Sequence, residues 1–122
     1  MAKPRKNLNP IKRMGFAING MRAAFKHESS VRMLVVAAAS IFLFLAFADV
    51  SAIRWALVIL TSAAVFTAEL FNTAIENLAD AVHPEQHPLI GRAKDCASGA
   101  VLLISFASLL VFAALLFHLY LR

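Results

Sequence analysis

Residues 55–76, WALVILTSAAVFTAELFNTAIE, decide the fold of this chain, because a purely apolar run continues directly into an acidic one. The uncharged part ends at Ala68 and is shorter than the roughly 20 residues that cross a bilayer as a helix. The span must therefore continue through Ile75, which carries Glu69 and Asn72 into it. An ionised carboxylate facing lipid costs roughly 2.5–3.5 kcal/mol at the bilayer centre. We therefore expect this face of the helix to look into a protein interior or a polar cleft.

The composition agrees with a bilayer as the solvent. The chain has 122 residues, 61% of them hydrophobic, which is more apolar surface than a soluble domain of this size could bury. It carries 12 Lys and Arg against 7 Asp and Glu. The basic residues flank apolar spans, so anionic lipid or phosphate is a better partner than nucleic acid. Cys96 is the single cysteine, which excludes an intrachain disulfide and a Cys/His zinc pattern.

The remaining segments predict an all-α integral membrane protein with three transmembrane helices and an N-terminal interfacial amphipathic helix. We interpret 1–122 as one domain. Its segments are a loose tail (1–10), a surface helix (11–28), three spans (30–48, 54–78 and 95–120) and a polar loop (80–94) before the last span.

The distribution of Lys and Arg predicts the orientation. With the N-terminus inside, ten of them are cytoplasmic: Lys3, Arg5, Lys6, Lys12, Arg13, Arg22, Lys26, Arg32, Arg92 and Lys94. Only Arg54 and Arg122 then lie outside, which is a clear positive-inside bias. We expect a multi-pass membrane protein whose N-terminus and 80–94 loop share the cytoplasmic side.

Polar side chains form a stripe along the second span. Glu69, Asn72 and Glu76 are spaced i, i+3, i+7 and share one helical face, and Asp80 extends it by one turn. Polar groups within a membrane also act as adhesive between helices. Two carboxylates and an amide on one stripe favour a functional site over that reading.

Charged residues also gather at the cytoplasmic boundary, where the topology places Glu28, Glu76, Glu85, Lys94 and Asp95. Mg²⁺ is usually held by one or two carboxylates together with substrate phosphates, and a lysine suits the phosphate charge. This set of side chains indicates phosphoryl transfer, a reaction in which positioning and charge neutralisation account for most of the catalysis.

Depth separates the two ends of the stripe. Seven helical residues rise about 10 Å, so Glu69 lies that much deeper than Glu76. A nucleotide at the headgroups would meet Glu76, and a lipid hydroxyl just below them would meet Glu69. Alcohols are weak nucleophiles without a nearby base, which makes Glu69 the candidate general base.

With these motifs the sequence resembles the bacterial integral membrane diacylglycerol kinase family. Residues 69–76 (ELFNTAIE) are similar to its E-x-x-N-[ST]-A-I-E, and residues 91–95 (GRAKD) to its x-x-A-K-D. Residues 20–25 (GMRAAF) and Glu28 resemble its N-terminal segment. The resemblance covers about 15–110, and it implies a homotrimer with active sites between protomers that uses ATP and Mg²⁺.

The resemblance also implies roles for single residues. Glu69 looks like the general base, Glu28 and Glu76 look like the metal-bridging carboxylates of the ATP site, and Lys94 looks like the phosphate-binding lysine. The remaining members are implied to orient polar groups (Asn72, Asp95), to contact the nucleotide (Glu85, His87) and to approach the lipid (Arg22, Ser98).

Four positions depart from the family pattern. Diacylglycerol-specific members often have Gln-Glu where this chain has Met33 and Leu34, an aromatic at Gln86 and a serine at Ile90. These departures concern the lipid and the adenine contact, and some related members act on undecaprenol.

Three functions follow as hypotheses. The first is an ATP-dependent kinase that makes phosphatidic acid from diacylglycerol, with undecaprenol as the alternative lipid. The second is a small transporter or channel subunit with Glu69 as a proton or cation site, which gives no role to Lys94 and Asp95. The third is a structural membrane scaffold.

Overall fold

The computed structural model describes residues 9–121, which form four α-helices and no strand: α1 (Pro10–His27), α2 (Ser29–Phe47), α3 (Ala52–Val82) and α4 (Pro88–Tyr120). Three of them, α2, α3 and α4, are long and apolar enough to cross a membrane. The prediction of an all-helical chain is therefore confirmed for the described residues, and three of the helices are candidate membrane spans, as predicted. Most of the expected loose tail, residues 1–8, and Arg122, which was expected on the outer side, lie outside the described residues.

The first helix begins earlier than predicted, at Pro10, so the tail does not extend through that residue. Asn9 is the N-cap, and its side-chain oxygen accepts a hydrogen bond of 3.1 Å from the backbone N–H of Ile11. A proline at the first helical position lacks the N–H that would otherwise be unpaired there. The polar Asn-Pro pair therefore starts the helix instead of delaying it.

The predicted polar loop over 80–94 is wrong in extent, because α3 continues to Val82 and α4 begins at Pro88. Only residues 83–87 connect the two helices. Pro88 occupies the first turn of α4, where proline is tolerated, and polar residues on either side are compatible with helix once outside hydrocarbon. The polar composition of this region thus marks where the helices leave the membrane, rather than where they end.

The lengths of α3 and α4 agree with this reading. They have 31 and 33 residues, which at about 1.5 Å per residue give lengths of about 46 and 50 Å. The hydrocarbon core of a bilayer is only about 30 Å thick. Since the polar residues lie where α3 ends and α4 begins, the excess length carries that end of the pair beyond the hydrocarbon.

Packing is most extensive between α3 and α4, while α1 and α2 rest on α3 through smaller contacts. Phe44 of α2 reaches α4 through ring contacts with Phe112 and Tyr120, each with centroids 6.5 Å apart. Large apolar side chains along the helices are exposed, including Leu102 and Leu103 of α4. The apolar residues that are buried in the described part of the chain are few: Ala24, Val31, Leu45, Val58, Val65 and Ala97. The apolar surface of a single chain therefore needs lipid or other protein to cover it.

Candidate active site

Glu69 is buried in the middle of α3, with 6% of its surface exposed. The hydroxyl of Ser30, in the first turn of α2, donates a hydrogen bond to Glu69 Oε1. Within residues 9–121 no donor reaches the other carboxylate oxygen, Oε2. Glu69 thus faces protein, as the spacing predicts, and retains one oxygen able to accept a proton.

Asn72 and Glu76 continue the stripe toward the end of α3, and both are half-buried. Asn72 Nδ2 donates to Glu76 Oε1 over 3.4 Å, a long contact between residues one turn apart. Asn72 Oδ1 is buried and has no hydrogen-bond partner in the described part of the chain. Buried polar atoms rarely stay unpaired, so this oxygen is available to a donor from a substrate or from another protomer.

The last turns of the stripe meet α4 through an ion pair. Lys94 Nζ donates to Asp80 Oδ1, and the two side chains are 34% and 65% exposed, respectively. Exposed pairs of this kind contribute only about 0–1 kcal/mol, so an incoming phosphate can replace Asp80 as the partner of Lys94 at small cost. The structure therefore brings the stripe next to the predicted phosphate-binding lysine.

Glu28 is the single residue between α1 and α2, with an extended backbone (φ −106°, ψ 117°). Its carboxylate does not cap α2, and it lines an open cleft between α1 and α3 whose other side includes Thr73 and Asn77. Glu76 is not among the residues that line this cleft. Within one chain the cleft at Glu28 therefore does not include the second predicted metal-bridging carboxylate.

Arg32 stabilises the junction between α1 and α2, where Glu28 lies. Its guanidinium donates hydrogen bonds of 3.0 Å each to the backbone oxygens of Phe25 and Lys26, at the end of α1. Unpaired carbonyls at a helix C-terminus attract cations, which explains this arrangement.

The short connection between α3 and α4 places Glu85 and His87 beside the ion pair, and together with Lys94 they line one open pocket. His87 Nδ1 accepts a hydrogen bond of 3.2 Å from the backbone N–H of Leu89, so it caps α4. The ring of His83 lies 5.4 Å from that of His87, centroid to centroid. In the part of the chain described, no group of three or more His, Cys, Asp or Glu side chains is arranged to hold a metal ion.

The other predicted residues lie apart from this pocket. Asp95 and Ser98 are exposed on α4, although Lys94 beside them faces α3. Arg22 is exposed on α1 and lines a mostly apolar pocket together with Phe66 and Leu70. The structure thus brings Glu85, His87 and Lys94 together, whereas Glu28, Asp95, Ser98 and Arg22 lie on other surfaces of the same chain.

Sequence reasoning missed Ser30 as the partner of Glu69. The two residues are 39 positions apart, and no motif or helical spacing connects them. The one available signal was the buried carboxylate itself, which requires a donor without indicating where in the chain the donor lies.

Comparison with known proteins gives a consistent result over most of the chain. The family model for prokaryotic diacylglycerol kinase matches residues 15–116. The diacylglycerol kinase of Escherichia coli (strain K12) is 36% identical over 106 residues, which is 87% of each chain. The diacylglycerol kinase of Helicobacter pylori (strain ATCC 700392 / 26695) is 31% identical over 112 residues, covering 92% of this chain and 88% of the relative.

A protein with a different named substrate is also similar. The undecaprenol kinase of Bacillus subtilis (strain 168) is 38% identical over 63 residues, covering 52% of this chain and 51% of the relative. The similar proteins therefore include kinases named for two lipid alcohols of different size.

Proposed function

Since this chain belongs to the prokaryotic diacylglycerol kinase family and is a kinase, we propose that it transfers the γ-phosphoryl group of ATP to the hydroxyl of diacylglycerol. The product is phosphatidic acid, and the reaction takes place at the cytoplasmic face of the bacterial inner membrane. The kinase names of the relatives support this function over a transporter or a scaffold.

One observation carries the proposal: the polar stripe of α3 extends from the buried Glu69 to Asp80, which pairs with Lys94. Glu69 is seven residues from Glu76, or about 10 Å along the helix. A lipid hydroxyl and a phosphate donor need this separation in depth, because the first lies below the headgroups and the second comes from water. The arrangement therefore supports a reaction that joins a membrane alcohol to a soluble phosphate donor.

In the proposed step, Glu69 Oε2 accepts the proton of the lipid hydroxyl as its oxygen attacks the γ-phosphorus. The new phosphorus–oxygen bond forms while the bond from the γ-phosphorus to the bridging oxygen breaks, and ADP leaves with that electron pair. The proton remains on Glu69 until it returns to water. Lys94 contributes charge to the phosphates once it exchanges Asp80 for them.

The carboxylates of Glu28 and Glu76 fit the donor set of Mg²⁺. Glu28 is not used as a cap, and Glu76 accepts only the long bond from Asn72, so both have free oxygens. Mg²⁺ prefers one or two carboxylates with water and phosphate in its other positions. When bound, the ion would neutralise phosphate charge, while Glu85 and His87 border the site for the nucleotide.

We further propose a homotrimer in which the site is completed between protomers. Two observations support it: the predicted site residues occupy several faces of one chain, and the exposed apolar side chains of α4 need a covering. In such an assembly Asp95 and Ser98 of one protomer would approach the stripe of the next. The N-terminus and residues 83–87 face the cytoplasm, and α1 lies in that membrane interface.

Undecaprenol is the second candidate substrate. Met33 and Leu34 are apolar where diacylglycerol-specific members often have Gln-Glu, and a relative is named undecaprenol kinase. Purified protein in detergent micelles, given radiolabelled ATP and each lipid separately, distinguishes the two. We expect label in phosphatidic acid at several times the rate of label in the polyprenyl phosphate. Label in neither lipid, from folded protein, would refute the kinase proposal.

A further inference from the structure

A second residue supports the proposed base from another helix. Ser30 lies in the first turn of α2, and its hydroxyl donates to Oε1 of Glu69 across the contact between α2 and α3. We propose that Ser30 is a positioning residue that fixes the orientation of the Glu69 carboxylate, so that Oε2 is free to accept the proton of the lipid hydroxyl. This inference rests on the proposed function.

The chemistry of a buried carboxylate explains why such a partner is needed. An ionised carboxylate only accepts hydrogen bonds, and a buried polar group without a partner costs free energy. A general base must also be held in a fixed direction relative to the hydroxyl from which it takes the proton. The Ser30 hydroxyl donates to one oxygen, Oε1, and no donor in residues 9–121 reaches the other oxygen, Oε2. One oxygen therefore anchors the side chain, and the other is available to the lipid hydroxyl.

The position of Ser30 makes it a rigid partner. Its neighbour Val31 is buried, which holds the start of α2 against the rest of the chain. Serine has a short side chain with one rotatable bond to its oxygen, so its hydroxyl has few alternative places. Ser30 also lies two residues after Glu28, so one short segment carries both a proposed metal ligand and the partner of the base.

The first test separates catalysis from binding. The full chain is purified in micelles as the parent, Ser30→Ala, Ser30→Thr and Ser29→Ala. Ser29 is the preceding residue and is exposed, so Ser29→Ala is the matched control. We expect Ser30→Ala to lower kcat by about tenfold, the effect of losing one hydrogen bond to a charged group, with little change in KM for ATP or lipid. Ser30→Thr keeps a hydroxyl and restores at least half of the parent kcat.

The second test needs no kinase activity. A hydrophobic carbodiimide adds to carboxyl groups in apolar surroundings, and mass spectrometry of the peptide that contains Glu69 measures the extent of labelling. Without the Ser30 hydroxyl the Glu69 side chain is no longer held against α2 and is more accessible to the reagent, so Ser30→Ala should label at least threefold faster than the parent. Ser29→Ala should label at the parent rate.

The outcomes separate this inference from the proposed function. Parent-like kcat or parent-like labelling in Ser30→Ala overturns the role of Ser30 while leaving the kinase intact, and so does an equal loss in Ser29→Ala. A parent protein that phosphorylates neither lipid overturns the proposed function instead. In that case the labelling rates still decide whether Ser30 holds the Glu69 carboxylate in place, because they do not depend on turnover.

Discussion

Replacement of Glu69 by Gln tests the centre of the proposed reaction with little change in shape. The amide retains a carbonyl oxygen that can accept the hydrogen bond from Ser30, and Glu69 is buried beside that hydroxyl. The other oxygen becomes an NH₂ group, which donates hydrogen bonds and cannot accept a proton from an alcohol. The substitution therefore removes the base while preserving the contact between α2 and α3.

The expected loss follows from the value of a positioned base. General base catalysis contributes about 10²–10⁴-fold, so kcat should decrease by that factor. At about 1.4 kcal/mol for each factor of ten, this is about 3–6 kcal/mol of transition-state stabilisation. Glu69 lies about 10 Å along α3 from Glu76, too far to touch a nucleotide held there, so nucleotide affinity should change by less than twofold.

Radiolabelled phosphate transfer in mixed micelles measures kcat, and equilibrium binding of a non-hydrolysable ATP analogue with Mg²⁺ measures affinity. Glu76→Gln on the same helix is the matched comparison, because it should weaken nucleotide binding at least tenfold. Thermal unfolding in the same detergent verifies that both variants are folded. The reasoning is refuted if Glu69→Gln retains more than a tenth of the parent kcat, or if it loses nucleotide binding as Glu76→Gln does.

Four further substitutions test the surroundings of the stripe. Glu28→Gln should raise the KM for Mg²⁺–ATP at least tenfold and leave the KM for lipid unchanged, because it removes a proposed metal ligand but not the base. Steady-state assays measure both KM values, and equal changes in the two would contradict this role. Lys94→Ala should raise the KM for ATP about 10- to 100-fold, because it removes a charge that would bind phosphate. Asp80→Asn should change the unfolding free energy by less than about 1 kcal/mol, since its ion pair with Lys94 is exposed. Arg32→Ala should destabilise the fold by about 1–3 kcal/mol through two lost bonds to the end of α1, measured by thermal unfolding, and an unchanged melting temperature would exclude this role.

The apolar spans and their boundaries illustrate what composition can and cannot predict. Uncharged runs identify the three membrane helices correctly, because an apolar helix of sufficient length is stable only in lipid or in a large core. The same composition gave the wrong extent for the connection between α3 and α4. Polarity there reports contact with water, and helix continuation depends on local capping by His87 and on the proline positions.

Some features of the candidate site could likewise be predicted from the sequence, and others could not. Helical spacing places Glu69, Asn72 and Glu76 on one face from sequence alone, since a helix repeats every 3.6 residues whatever its surroundings. No such rule relates Glu28 to the stripe, because it lies in the connection between two other helices. The structure places Glu28 in a cleft between α1 and α3 that does not include Glu76.

The sequence by itself determined that this chain forms three membrane helices with an acidic stripe on the second. Both properties arise from local periodicity and from the free energy of apolar transfer, and neither requires a neighbouring helix. Only the tertiary structure decided which side chains meet the stripe: Ser30 at the buried Glu69, and Lys94 at Asp80. Such partners are distant in sequence, because they are selected by how whole helices pack, and packing depends on all the side chains of both surfaces at once.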